Sequence, residues 1–224
     1  MLNDKRIRII IGHYGSGKSE FSVNYAMNMA AADQKTAIAD MDIVNPYFRS
    51  REQAAMMEDA GIRVISGIRG HNTNLDLPMM SAEVLSPLQD ESYNLVLDVG
   101  GDAVGARALA RYKNYFREGN YDMFFVLNRY RQETQDVEGV IHHIKAIEAT
   151  LGAPVTGLIN NTHLLRETSV EDVLYGQELA EKVSEQLNIP IRYVATIEKV
   201  AAQLPSDLQG EIFPVKMYLR REWM

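Results

Sequence analysis

The residues best suited to chemistry lie near the start of the chain, in Gly12-His13-Tyr14-Gly15-Ser16-Gly17-Lys18-Ser19. The segment fits the pattern G-x-x-x-x-G-K-[ST] in full, with a predicted strand before it and a predicted helix after it. Gly12, Gly15 and Gly17 permit backbone angles and close approach that a Cβ would block. Successive amides, those of His13, Tyr14 and Ser16 among them, then turn inward and cradle phosphate oxygens. The helix N-terminus adds its partial positive charge. Lys18 is placed to reach the β and γ phosphates as a point charge, and the Ser19 hydroxyl to ligate Mg²⁺. Glu20 closes the expected nucleotide-binding stretch. The chemistry implied is triphosphate binding with Mg²⁺ and hydrolysis of the terminal phosphate.

Such a loop needs carboxylates near the metal. Asp98 ends the apolar run Leu95-Val96-Leu97-Asp98, the Walker B arrangement, and Val99-Gly100-Gly101-Asp102 follows. An amide of Gly100 or Gly101 is suited to sense the γ-phosphate. A second run ends Ala39-Asp40-Met41-Asp42. In an extended chain Asp40 and Asp42 point the same way, so one is suited to hold a Mg²⁺-bound water and the other to orient the attacking water. A lone Asp is too weak a base to strip that water fully near neutral pH. Its expected role is therefore positioning, with Lys18 and Mg²⁺ supplying most of the electrostatic stabilisation. At the end of Val155-Thr156-Gly157-Leu158-Ile159-Asn160-Asn161-Thr162-His163, asparagine amides can read a purine edge, since they both donate and accept. The guanine-reading N-K-x-D pattern would have Asp where His163 stands, which favours adenine.

The elements that must position these groups alternate. Strands are predicted at 7–11, 36–40, 62–66, 95–98, 123–128, 155–160 and 191–195. Helices are predicted at 18–32, 46–60, 106–117, 134–151 and from Thr168 to Leu187, the last opened by a Thr168/Glu171 capping box. This order predicts a single α/β domain spanning the chain, with a mainly parallel twisted sheet and helices on both faces. Ligands of such sheets sit beyond the carboxyl ends of the strands, where every motif above falls.

Composition narrows the class further. A chain of 224 residues is long enough to bury a sizeable core without staples. The absence of cysteine excludes disulfides, thiolate metal sites and cysteine nucleophiles. A net charge of −7 with no basic run argues against nucleic acid. The apolar stretch at 7–11 is too short for a signal core or a membrane span, so a soluble cytoplasmic protein is expected. His142 and His143, neighbours on a predicted helix, point about 100° apart and cannot readily share a metal. The C-terminal Val215–Met224 mixes basic and aromatic residues and is expected to lie on the domain rather than on a membrane.

Taken in order, GHYGSGKS, IADMDIVNP, LVLDVGGD and GLINNT resemble the MinD/ParA/CobQ-type branch of P-loop ATPases, from about Ile7 to Ala195. The resemblance implies Mg²⁺–ATP binding, slow hydrolysis stimulated by a partner protein, and a nucleotide-dependent homodimer in many members. By position it implies that Lys18 contacts phosphate, Ser19 binds Mg²⁺, Asp42 orients water, Asp98 supports Mg²⁺ and Asn161 touches adenine; the strand-end reading adds Asp40 to the metal. Dimer-forming members carry a lysine where this chain has His13, which is not a fixed positive charge; Arg49 or Arg51 are the candidates to replace it. An alternative within the fold is a phosphotransferase or ligase like dethiobiotin or cobyrinate synthases, with Arg69, His71 or Asn74 at its acceptor site. The loop is also similar to that of metal-chaperone GTPases, whose metal clusters this cysteine-free chain lacks.

Overall fold

The β-branched run Ile7–Ile11 forms β1, and all five of its residues are buried. Its even and odd positions serve different layers. Ile7, Ile9 and Ile11 join one core, while Ile10 faces the other. Arg8 shares that buried strand because its guanidinium is fully occupied, donating to Tyr25 Oη (3.1 Å), Asn94 Oδ1 (2.6 Å) and the Asp4 carbonyl (3.1 Å). The computed structural model describes residues 1–41, 51–66, 83–101 and 103–220.

Among the described residues seven further strands follow: β2 Thr36–Asp40, β3 Arg63–Ser66, β4 Asn94–Asp98, β5 Tyr121–Leu127, β6 Gly157–Asn160, β7 Ile191–Ile197 and β8 Glu211–Val215. They form one sheet in the order β3-β2-β4-β1-β5-β6-β7-β8, and every pairing is parallel. From β1 the chain runs outward through β2 to β3, returns to insert β4 between β2 and β1, and then crosses to the other side of β1 for β5 to β8. The reversal falls beside β1, and a crevice opens there past the carboxyl ends of the strands. Register sets the acidic residues side by side: Asp98 pairs with Asp40 on one flank and Ile10 on the other.

Helices α1 (Lys18–Ala31) and α2 (Arg51–Asp59) cover one face. Phe21, Tyr25, Met29 and Met57 pack there on Ile10, Ile38, Val96 and Phe124. Helix α3 (residues 83–89), α4 (Ala103–Ala110), α5 (Val137–Leu151), α6 (Val170–Leu187) and α7 (Glu198–Ala201) contribute to the opposite core. Among the described residues no helix is long and apolar enough to cross a membrane.

The expected α/β architecture is present, with several local differences. The cap of α6 is shifted by one residue: Ser169 and Asp172 make the reciprocal capping box, not Thr168 and Glu171. Thr168 instead bonds back to the turn before it. Helix α4 stops at Ala110, and a separate 3₁₀ turn occupies Lys113–Tyr115. Helix α5 begins after Asp136, which caps it through Gly139 N. Strand β8 was not expected; Pro214 interrupts its apolar pattern, and as an edge strand it tolerates the missing donor. The expected docking of the tail on the domain is seen as far as Arg220: Lys216 exchanges two hydrogen bonds of 2.8 Å with the Asn24 carboxamide on α1.

Phe21 holds α1 to the sheet through the rings of Phe213 on β8 (4.7 Å) and Tyr193 on β7 (5.7 Å), with Tyr25 of the same helix beside it (5.9 Å). Phe21→Ala is expected to lower the unfolding free energy by about 3–5 kcal/mol in denaturant titration. A loss below about 1 kcal/mol would mean that α1 is not anchored by this cluster.

Candidate functional site

The segment Gly12–Ser19 runs from the end of β1 into α1, as its pattern requires. Gly17 is the N-cap of α1 at φ 86°, a left-handed conformation, with no side chain capping the helix. The first amides of α1 therefore stay available to an anion. A Cβ on Gly17 would also collide with the Asn161 carboxamide, so the glycine is required for close approach as well as for its angle.

The carbonyls of this loop are spoken for in sequence. His13 O accepts from Ser16 N (3.1 Å), and Tyr14 O from His13 Nδ1 (3.0 Å). Gly15 O accepts from Arg131 Nε (2.9 Å), and Ser16 O from Asn161 Nδ2 (2.7 Å). Gly17 O accepts from Phe21 N (3.0 Å), and Lys18 O from the Ser22 hydroxyl (2.8 Å). These acceptors are satisfied within the protein, and the Ser16 amide is spent on His13 O; Gly15, Gly17 and Ser19 line the cavity described below.

Asp98 lies next to this assembly. It is buried, and its Oδ1 stands 3.4 Å from the Ser22 hydroxyl, one turn along α1 from Ser19. Its carbonyl accepts from Met41 N (2.7 Å), so the ends of β2 and β4 are tied together where Asp40 and Asp98 sit in register. Asp40, Asp98 and Ser19, the residues expected to hold Mg²⁺, all offer oxygen, the donor type that a hard cation takes. Among the described residues no cluster of three or more His, Asp or Glu is gathered. Asp42, Arg49, Arg69, His71, Asn74 and Asp102 lie outside the described residues, and so does the side chain of Arg51.

The loop after β4 rests directly on the phosphate loop. A Cβ on Gly101 would overlap the Gly12 carbonyl, so only glycine allows this contact. His143 Nε2 donates to Gly101 O at 2.6 Å, and its ring meets the His13 ring edge-on at 5.5 Å. Burial pushes the His143 imidazole below its usual value. His142 is exposed, so the two histidines diverge as their helical spacing predicts.

A cavity of about 280 Å³ opens from the loop toward the ends of β6 and β7. Its phosphate end holds Gly15, Gly17, Lys18, Ser19 and Arg131, with Tyr14 exposed at the rim. Asn161 and His163 line the cavity close beside Gly17, and Thr196, Ile197, Met217 and Arg220 belong to the same wall. The Asn160–Asn161 pair splits. Asn160 bonds α6 through Val173 O and Gln177 Oε1, while Asn161 faces the cavity and the Ser16 carbonyl. Among the described residues the buried Thr196 hydroxyl has no hydrogen-bond partner. Glu20 lines the wall, but its carboxylate accepts from Tyr218 N (2.6 Å) and Leu219 N (3.1 Å), which fixes the chain end across α1. Burial raises the Glu20 carboxyl above its usual range, opposed by those amides. Arg131, Thr196 and the 217–220 segment carry no local sequence signature, and sequence reading misses them.

Burial pushes the His163 imidazole down to about 4, and the positive Arg131 and Arg220 add to the effect. The ring is neutral at pH 7. Because Nδ1 accepts from Leu165 N (3.2 Å), Nε2 carries the proton.

No protein-family model matches the chain, and a search of curated proteins gives no match. Among solved structures it is similar to FtsY from Mycoplasma mycoides, with a TM-score of 0.55 and 17% identity, covering 85% of this chain and 60% of that one. Chloroplast FtsY from Physcomitrella patens gives 0.56 and 16%, covering 83% and 56%. A nucleotide-binding protein from Archaeoglobus fulgidus, in complex with ADP, gives 0.50 and 13%, covering 96% and 84%. The chain thus spans about 60% of the length of the Mycoplasma FtsY chain. The likeness establishes the fold, a parallel α/β sheet of the P-loop NTPase type.

A histidine that is neutral when folded takes up its proton only on unfolding, so it favours the folded state above pH 6.5 and loses that advantage as pH falls toward 4. Between pH 7 and pH 5, wild-type protein is expected to lose about 2 kcal/mol more unfolding free energy than His163→Gln. Equal losses in urea titrations at the two pH values would contradict the buried neutral ring.

Proposed function

We propose that this chain is a Mg²⁺-dependent ATP-binding protein and ATPase, a switch of the MinD/ParA-like kind whose nucleotide state is read by a partner protein. The observation that carries the reading is the phosphate loop itself. Its carbonyls from His13 to Lys18 are engaged elsewhere, and its amides border the cavity that Lys18 and Ser19 enter.

Each part has a role on this reading. The loop amides and the α1 N-terminus bind the phosphate chain, and Lys18 neutralises its outer charge. Ser19, Asp98 and Asp40 hold Mg²⁺, which when bound offsets charge on the phosphate oxygens. Asp42 orients the attacking water. The Gly100–Gly101 loop, resting on Gly12 and held by His143, is placed to respond to the terminal phosphate and to pass its state to α5.

Adenine is favoured by the lining around Asn161 and His163. The guanine-reading N-K-x-D pattern uses a carboxylate to accept from the guanine N1–H and amino groups. Among the described residues the cavity wall holds one carboxylate, that of Glu20, and backbone amides already occupy it. Asn161, the Nε2–H of His163 and the unpartnered Thr196 hydroxyl remain for the base and ribose. The Archaeoglobus protein of similar fold was found with ADP, which agrees with this choice.

Lys18→Ala is expected to weaken ATP binding by at least about a hundredfold in calorimetry, the loss of more than one charge-assisted contact. Wild-type protein with Mg²⁺ is expected to release phosphate slowly from ATP with no acceptor present. Unchanged affinity in the variant would remove the assigned phosphate site. Phosphate transfer that strictly needs a small-molecule acceptor would replace the switch with a transferase.

A further inference from the structure

We propose that Arg131 is a second phosphate-binding cation of the nucleotide site, supplied by the same chain beside Lys18 and engaging the phosphate chain through its terminal amino groups. The proposal rests on the nucleotide-binding reading above and adds to it a residue that no motif marks.

Arg131 lies in the turn after β5, and its backbone is fixed from both sides. Its N–H donates to Asn128 O (3.0 Å), and its carbonyl accepts from Thr134 N (2.9 Å). The Thr134 hydroxyl closes the turn on Asn128 O at 2.8 Å. The side chain then lies against the phosphate loop, with Nε donating to Gly15 O at 2.9 Å. One edge of the planar guanidinium is thereby fixed, so orienting the remaining donors for a ligand costs little side-chain entropy.

The remaining donors are what point to an anion. Among the described residues no carboxylate pairs with Arg131, and neither terminal nitrogen has a hydrogen-bond partner. The guanidinium lines the same cavity as Gly17 and Lys18. Arg220 lines it too, and the ring nearest these two cations, His163, is held neutral. The one carboxylate in the wall, Glu20, is turned to the amides of Tyr218 and Leu219. Glu20 offers a counter-charge to Arg220, but no described carboxylate pairs with Arg131, so an anionic ligand relieves the repulsion between Arg131 and its cationic neighbours. Bracing Gly15 needs only a neutral donor, which leaves the positive charge of Arg131 for a ligand. A cation supplied in cis also means that phosphate charge is met without a second copy of the chain.

The test compares Arg131→Gln, which keeps a donor for Gly15 O but removes the charge, with Arg131→Lys. Binding of ATP, ADP and adenosine is measured by calorimetry on the full chain, and melting temperatures confirm that each variant is folded. Arg131→Gln is expected to weaken ATP by about tenfold or more, the size of a lost charge-assisted hydrogen bond, and to leave adenosine unchanged. Arg131→Lys is expected to recover part of the loss, and raising the salt to about 0.5 M to narrow the gap between wild type and Arg131→Gln. ATP affinity in Arg131→Gln equal to that of wild type, or an equal loss for ATP and adenosine, would overturn the proposal and leave the functional reading standing. Failure of the wild-type protein to bind any adenine nucleotide would overturn both.

Discussion

A loop that offers its amides to an anion must place its carbonyls somewhere else. In this protein that requirement ties the far half of the chain to the near half. Ser16 and Gly15 each turn an oxygen away from the cavity, and the donors that receive them, Asn161 and Arg131, come from 145 and 116 residues further along. A buried carbonyl without a partner costs about 1–3 kcal/mol, so these bonds stabilise one arrangement of the loop over the many a glycine-rich segment could adopt. The inward-facing amides are preorganised as a consequence, and a ligand need not spend binding energy to orient them.

The parallel sheet makes this possible. Strands β1, β5 and β6 are neighbours, so the loop after β1 lies beside the segments that follow β5 and β6. Those segments carry Arg131 and Asn161. On the other flank β4 brings Asp98 into register with Asp40 and sets Gly101 against Gly12. The phosphate loop is therefore touched from both winding directions of the sheet. On the proposed reading, a change at the terminal phosphate reaches Gly101 and, through His143, the helix α5. Lys18, Arg131 and Arg220 line the cavity with Glu20 as the one carboxylate described there, which suits a polyphosphate tail.

Much of this was legible in the sequence, for a physical reason. The phosphate loop and the strand-terminal Asp98 are local signals, because strand, turn and helix must follow one another within a few residues for the amides to converge. The period-2 pattern of β1 and the helical spacing of Phe21, Tyr25 and Met29 likewise encode their faces locally. What sequence reading missed is long-range. Nothing around Arg131 marks it as a partner of Gly15, and the clamp of Asn24 and Glu20 on residues 216–219 joins segments about two hundred positions apart. The α6 cap erred for a different reason: Thr168 and Ser169 both offer a hydroxyl with an acid three residues on, and only the position of the first helical turn decides between them. Asn161 was read as a base contact. Its carboxamide nitrogen is donated to Ser16, which leaves its oxygen to face a nucleotide.

The most direct test of the account is a crystal structure of the protein with Mg²⁺ and a non-hydrolysable ATP analogue. The account predicts phosphate oxygens within hydrogen-bond distance of the amides of residues 15–19, with the Asn161–Ser16 and Arg131–Gly15 bonds intact and Asp98 directed at the metal. An analogue bound away from the loop, or one that breaks those two bonds to gain entry, would contradict it.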